Sequence, residues 1–216
     1  IGGGPIVDGY VLTSDATGLA SWKAPTGGGG LLGITQSVSP FLAALGYQAG
    51  NIGLNTGTSN TFIGTQAGRI NTTGYNNTAT GYQSLFYNTT GVYNTANGRA
   101  ALYQNNDGNS NTAYGYTALY ANRSGGHNTA TGRMALYLSD SGSGNTATGD
   151  NALFANSTGS NNSGFGYKAD VLSPGLTNAT AIGYNAKVGG SNMLVLGGTG
   201  VDAVNVGINM TTPTQR

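Results

Sequence analysis

A 17-residue period is the strongest constraint on how this chain can fold. One glycine marks the phase of nine copies, separated by one step of 18 and then seven steps of 17. These marker glycines are Gly46, Gly64, Gly81, Gly98, Gly115, Gly132, Gly149, Gly166 and Gly183. A pair of helices needs about 33 residues per repeat, so a unit this short can close only a small coil of extended segments and turns.

The residues around the marker glycine recur in fixed columns, with the consensus N-T-A-x-G-x-x-A-L-[FY]-x-N-x-x-G-x-x. Asn and Gly tolerate the positive φ of tight turns, whereas Thr and aromatic residues favour extended backbone. The pattern therefore predicts an all-β protein, a parallel β-roll or β-solenoid of about nine 17-residue coils.

Two short strands are predicted in each coil, with equivalent side chains stacked from coil to coil at about 4.8 Å. The strand N-T-A-x should turn Ala inward and leave its other face wet. The segment A-L-[FY] is predicted to be a strand with Leu on one face and Ala and the aromatic residue on the other, so that both faces are apolar. The columns expected in the core or at an interface are Leu85, Leu102, Leu119, Leu136 and Leu153, with Phe86, Tyr103, Tyr120, Tyr137 and Phe154. Amide ladders are expected at Asn77, Asn94, Asn111, Asn128 and Asn145.

A strand with two apolar faces needs two partners, and the interior of one coil supplies only one. The other face is expected to pack against a neighbouring subunit, which predicts side-by-side association around an axis. The alternative is that flanking segments of the same chain cover it, although these are short and rich in Gly.

The repeat divides the chain into three parts. Residues 1–40 are expected to form a β-hairpin collar, from the alternation through Tyr10–Leu12 and Leu19–Trp22, followed by a hinge at Gly27–Gly30. The β-roll should occupy residues 41–190. Residues 191–216 are expected to form a capping or connecting segment, with strands at Met193–Leu196 and Val201–Ile208.

The composition leaves little material for catalysis. Gly (39), Thr (28) and Asn (25) dominate, charged residues make up 7%, all seven acidic residues are Asp, and there is one His and no Cys. We therefore expect no enzyme, no metal and no cofactor. A net charge of +1 gives no electrostatic footprint for nucleic acid, and no apolar run approaches the length of a membrane span.

Structural roles explain the few residues that could take part in catalysis, metal binding or glycosylation. His127 falls in a turn column with no triad signature around it, and Asp107 and Asp140 lie in adjacent columns of different coils without a calcium-binding repeat. N-x-[ST] triplets are frequent by chance in a chain so rich in Asn and Thr, and we interpret them as turns. Four of them begin at Asn71, Asn88, Asn122 and Asn156.

Tyrosines are the best candidates for ligand contact, because a flat ring with a hydroxyl can stack on a sugar while neighbouring polar groups bind the sugar hydroxyls. One set directly follows the marker glycine, where Tyr alternates with Arg and Asp, and is expected to face solvent. These candidate ligand-binding residues are Tyr82, Arg99, Tyr116, Arg133, Tyr167 and Tyr184. The tyrosines of the A-L-[FY] column share their position with Phe, so packing explains them better than binding.

The N-T-A-x-G-x-x-A-L units resemble the head repeats of YadA-type trimeric autotransporter adhesins, and T-A-I-G at Thr180–Gly183 is the most similar copy. The segments Asp8–Trp22 and Asn205–Arg216 resemble those that flank such repeats in phage tail fibres and related bacterial fibres. In those proteins, a sequence similar to the second segment precedes an intramolecular chaperone that trimerises the fibre and cleaves itself off. The resemblance implies a homotrimer cut from a longer fibre, although the coil here is longer than the adhesin repeat and Thr replaces its strand valine.

Two functions follow as hypotheses. The first is a non-enzymatic segment of an extracellular fibre, on a bacterial surface or a virion tail, that attaches to a cell by recognising a glycan or serves as the shaft for a receptor-binding tip. The second is an ice-binding solenoid, because T-x-T recurs at Thr78/Thr80, Thr129/Thr131 and Thr146/Thr148. Ice binding favours an uninterrupted double row of Thr, and Asn97, Tyr114 and Phe165 interrupt the second row.

Overall fold

The computed structural model describes residues 11–14, 20–23, 42–50 and 55–198, and within these ranges every regular element is a β-strand. The strands are β1 Val11–Ser14, β2 Ala20–Lys23, β3 Leu42–Leu45, β4 Asn60–Ile63, β5 Thr78–Thr80, β6 Thr95–Asn97, β7 Thr112–Tyr114, β8 Thr129–Thr131, β9 Thr146–Thr148, β10 Ser163–Phe165, β11 Asp170–Val171, β12 Thr180–Ile182, β13 Lys187–Val188 and β14 Leu194–Leu196.

Ten of these strands form one parallel sheet in the order β14-β12-β10-β9-β8-β7-β6-β5-β4-β3. Each strand pairs with its equivalent in the next coil, so that Ala96 lies opposite Ala113 and Ala113 opposite Ala130. The two end coils depart from the regular period: the first, from β3 to β4, is longer by one residue, and the last, from β12 to β14, is shorter by three. The prediction of a parallel β-solenoid of about nine coils is confirmed.

The predicted hairpin is also present, since β1 pairs antiparallel with β2 and Leu12 lies opposite Trp22. At the other end, β14 confirms a strand within Met193–Leu196 and extends the sheet beyond β12. The predicted hinge at Gly27–Gly30 and strand at Val201–Ile208 lie outside the described residues.

The prediction of two strands per coil is wrong for the five central coils. Their A-L-[FY] segment is a turn in which the Leu has a positive φ, for example 51° at Leu102, and the residue two positions earlier, Ala100, has a φ of 53°. A strand alternates successive side chains between its faces, whereas left-handed residues break that alternation. Ala101 and Leu102 are consequently both fully buried in the core of the solenoid. Leu102 therefore does not lie on the opposite face from Ala101, as the prediction of a strand required.

The core of four of the five central coils therefore has three apolar contributors, two Ala and one Leu, as with Ala96, Ala101 and Leu102, and in the first central coil Ser84 replaces the second Ala. The backbone of the turn is satisfied between coils, because the Leu85 N–H donates to the Ala101 carbonyl at 2.9 Å and the Leu102 N–H to the Ala118 carbonyl at 3.0 Å. Backbone hydrogen bonding between neighbouring coils supports a conformation that Leu rarely adopts.

The last two coils differ, because β11 and β13 form a short parallel pair where the central coils turn. Val171 and Val188 provide the buried apolar side chains there. Asp170 and Lys187 occupy the Leu column, and their side chains form an ion pair at 3.5 Å.

The marker glycines are fixed by both conformation and space. Gly98 has a φ of 133°, and a Cβ there would lie 2.5 Å from the carbonyl oxygen of Gly115 in the next coil. No larger residue fits between two backbones stacked this closely, which explains why glycine recurs at every period.

The Asn residues of the N-T-A-x motif connect neighbouring coils. The side-chain oxygen of Asn94 accepts the backbone N–H of Asn111 at 2.9 Å, and the Asn94 amide nitrogen donates to the Gly108 carbonyl at 2.8 Å. The predicted ladder at Asn77, Asn94, Asn111, Asn128 and Asn145 is thus present, but its bonds are mainly between side chain and backbone.

A second buried column forms a true amide ladder, in which each Asn donates its side-chain nitrogen to the side-chain oxygen of the preceding coil at 2.7 to 2.8 Å. Its members are Asn55, Asn71, Asn88, Asn105 and Asn122. The next position is Ser139, which is fully buried and whose hydroxyl has no hydrogen-bond partner. The amide ladder therefore stops at Asn122.

Candidate functional site

The candidate ligand-binding residues form one exposed line along the solenoid axis, which we call the tyrosine-arginine stripe: Tyr82, Arg99, Tyr116, Arg133, Tyr167 and Tyr184. Each follows a marker glycine and each is exposed, with Tyr82 and Tyr116 both at 45% and Tyr184 at 58%. The stacking of equivalent backbone positions places these side chains above one another at about 4.8 Å per coil. Their expected exposure to solvent is confirmed.

Arg99 lies between two tyrosine rings of the stripe. Its guanidinium carbon is 5.6 Å from the centre of the Tyr82 ring and 5.5 Å from that of Tyr116. One of its terminal nitrogens also donates to the Tyr116 hydroxyl at 3.3 Å. The two cation-π contacts hold the planar guanidinium between neighbouring coils.

Arg133 has a different environment, because Asp150 occupies the next position in the same column. Two Arg133 nitrogens donate to the two Asp150 carboxylate oxygens at 2.9 and 3.1 Å. These hydrogen bonds raise the pKa of Arg133, and the bidentate pair neutralises the charge.

Tyr167 and Tyr184 complete the stripe as a stacked pair, with ring centres 5.6 Å apart and planes inclined by 11°. The Lys168 ammonium lies 5.2 Å from the centre of the Tyr167 ring. The stripe therefore presents aromatic rings, hydroxyls and cations over most of the repeat.

A second aromatic column lies beside the stripe. Phe86, Tyr103, Tyr120, Tyr137 and Phe154 are stacked with ring centres 5.0 to 5.3 Å apart. Burial is the main cause that raises the pKa of Tyr120, followed by the nearby hydroxyls of Tyr137, Tyr87 and Tyr116. Tyr116 belongs to the stripe, so the two columns are near enough for a charge on Tyr116 to influence the pKa of Tyr120.

Sequence reasoning favoured packing over binding for this second column. Tyr103, Tyr120 and Tyr137 do stack, but they are only partly buried, so part of each side chain belongs to the surface of the solenoid. The contribution of Lys168 was also missed, since it stands one position outside the stripe. The one signal that could have found the second column is the preference for Tyr over Phe in the central coils.

The outer face of the ten-stranded sheet carries the Thr residues. One register position is an unbroken Thr column from β4 to β9, at Thr61, Thr78, Thr95, Thr112, Thr129 and Thr146. The neighbouring column is interrupted as expected, by Asn97, by Tyr114 at 58% exposure and by Phe165 at 40%.

Two titratable residues singled out in the sequence, His127 and Asp140, are exposed or partly exposed. His127 is exposed in a turn with a φ of 58°, as predicted, and Asp140 pairs with Arg123 at 2.8 Å. In the described ranges, no group of three or more His, Cys, Asp or Glu side chains could hold a metal ion. Nor does that part of the chain contain a helix long and apolar enough to cross a membrane.

Comparison with known proteins gives no match to a protein-family model, to a curated protein or to a solved structure.

Proposed function

We propose that this chain is a non-enzymatic segment of an extracellular fibre and that the tyrosine-arginine stripe is its contact surface for cell-surface glycans. The observation that carries the proposal is the continuous exposure of that stripe on a scaffold whose backbone is hydrogen-bonded from coil to coil. Sugars bind where aromatic faces and polar donors occur together, and a rigid scaffold reduces the entropic cost of ordering those groups.

A glycan array tests this proposal. The chain should bind a subset of glycans, and Tyr116→Ala should weaken the binding, because it removes one ring and one hydroxyl from the centre of the stripe. If the chain bound no glycan, it would instead be a shaft, and another part of the fibre would recognise the cell.

A homotrimer, in the fibre of a bacterial surface or a virion tail, is part of the proposal and rests on the resemblance to trimeric adhesins. The argument from a strand with two apolar faces no longer supports it, since Leu and Ala both fill the chain's own core. Light scattering should give about three times the chain mass of 21.6 kDa. A monomer at micromolar concentration would contradict the trimer.

Ice binding is the second candidate, favoured by the unbroken Thr column on an outer sheet face. Tyr114 projects from the neighbouring column and disturbs the flatness that a match to ice needs. An assay of ice recrystallisation separates the two functions: activity that Thr129→Tyr abolishes would replace the fibre proposal.

A further inference from the structure

We infer that Arg99 is an oxyanion-binding subsite of the stripe and that the preferred ligand is an acidic saccharide bearing a carboxylate or sulfate. This inference rests on the proposed function, and it specifies the ligand class. It follows from which cationic side chains of the solenoid pair with a carboxylate and which lie over an aromatic ring.

Within residues 42–50 and 55–198 there are six cationic side chains, and they fall into two groups. Arg123, Arg133 and Lys187 pair with Asp140, Asp150 and Asp170. Arg69, Arg99 and Lys168 lie over aromatic rings, and no carboxylate of the described residues is within 4.0 Å of them. Of these three, only Arg99 belongs to the stripe and has rings on two sides.

The Arg99 guanidinium has five N–H donors, and the cation-π contacts with the Tyr82 and Tyr116 rings do not use these donors as hydrogen bonds. One of them makes a long bond to Tyr116 at 3.3 Å. A guanidinium held in place forms a bidentate pair with a planar oxyanion at a lower entropic cost than a free side chain would. The geometry at Arg133 shows what this column can accommodate, since Asp150 already makes such a pair there.

The surroundings favour a saccharide as the carrier of that oxyanion. Tyr116 places its hydroxyl 3.3 Å from an Arg99 nitrogen, Tyr82 is exposed on the other side of the guanidinium, and Tyr103 and Tyr120 are partly exposed in the second aromatic column. Sugar hydroxyls can exchange hydrogen bonds with these groups while the acidic substituent contacts Arg99.

Surface plasmon resonance on three immobilised polysaccharides tests the inference: dextran sulfate as the sulfated probe, alginate as the carboxylated probe and dextran as the neutral one. Binding to dextran sulfate or alginate should exceed binding to dextran, and the stronger of the two identifies the oxyanion. Arg99→Ala should weaken that binding roughly 10-fold or more, the loss expected for a hydrogen bond to a charged group. Arg99→Lys should not restore it, because Lys lacks the planar fork.

The matched control is Arg123→Ala, which removes an exposed cation from a different column and lowers the net charge by the same amount as Arg99→Ala. It should bind like the parent chain. Asp150→Ala should increase binding, because it releases Arg133 as a second oxyanion donor in the stripe. Thermal melting of each variant verifies that it is folded.

Equal losses in Arg99→Ala and Arg123→Ala would overturn the inference, since binding would then depend on net charge and not on the stripe. Binding to dextran that Tyr116→Ala weakens and Arg99→Ala leaves intact would also overturn it, while keeping the stripe as a glycan surface. No binding to any of the three would overturn the inference, and the glycan array would then decide separately whether the stripe binds other glycans.

Discussion

Ser139→Asn should stabilise the protein by completing the amide ladder. In the wild type the Ser139 hydroxyl is buried without a partner, and the neighbouring coils carry Asn122 and Asn156 at the equivalent position. The backbone there already has the required conformation. The Ser139 N–H donates to the Leu136 carbonyl at 3.2 Å, as the Asn156 N–H donates to that of Leu153 at 3.2 Å.

The magnitude follows from the bonds that the neighbours make. The new amide nitrogen can donate to the side-chain oxygen of Asn122 and to the Gly142 carbonyl, as Asn122 donates to Asn105 at 2.8 Å and to a turn carbonyl at 2.9 Å. Its oxygen can accept from Asn156. Three hydrogen bonds stabilise the fold by about 1 kcal/mol each, and the substitution also removes one unsatisfied hydroxyl. Together these gains exceed the free-energy cost of desolvating and ordering the amide, which leaves a net stabilisation of about 2 kcal/mol.

Thermal melting followed by circular dichroism measures the effect, and a gain of this size should raise Tm by roughly 4 to 8 °C for a chain of this length. The matched control is Asn122→Ser, which introduces the same defect into an intact coil and should lower Tm. An unchanged or lower Tm for Ser139→Asn, with the expected loss in Asn122→Ser, would refute the idea that the missing amide at Ser139 reduces the stability of the protein.

Three further perturbations address the core, the period and the pH dependence. Leu119→Asp should cost roughly 4 kcal/mol or more, since Leu119 is fully buried and an unpaired carboxylate would replace it, so melting should show loss of the fold where the milder Leu119→Ala retains it. Deleting one complete period, Asn111–His127, should leave a soluble β-rich protein shorter by one coil, whereas a deletion that is one residue shorter should place polar side chains where Leu and Ala belong; equal melting of the two would contradict the coil period. Burial raises the pKa of Asp170, and this effect outweighs the opposing effects of Lys187 and of two backbone N–H groups. The contribution of Asp170 to stability is therefore full below the ordinary pKa of 3.8, and it is lost as the pH rises through the raised pKa. Denaturant unfolding should therefore show the wild type losing stability relative to Asp170→Asn over that rise, and parallel pH profiles would contradict this.

The period, the inward Ala of the N-T-A-x strand and the exposed stripe could all be predicted from the sequence, because each depends on which residue types repeat at fixed spacing. The turn at A-L-[FY] could not. Leu is a poor residue for positive φ, and nothing in local propensity indicates that Leu102 has a φ of 51°. Only hydrogen bonding to the adjacent coils and the need to bury Ala101 and Leu102 together make that conformation favourable.

The side chains that contact Arg99 and Arg133 also could not be predicted from the sequence. Arg99 and Arg133 occupy the same column and look equivalent, yet one is held between tyrosine rings and the other by Asp150. The difference depends on which residue stands one full period away, so it becomes meaningful only once the stacking register is known.

The amide ladder also has a consequence for producing the protein. Asn71, Asn88, Asn122 and Asn156 each begin an N-x-[ST] triplet, and all four side chains are fully buried with their amide nitrogens engaged. An enzyme that attaches N-linked glycans could reach these nitrogens only before the coils close, and a glycan on any of them would occupy the space of the next coil. In a eukaryotic secretory host, modification would thus compete directly with folding, and changing Thr73, Thr90, Ser124 and Thr158 to residues other than Ser or Thr should recover folded material there.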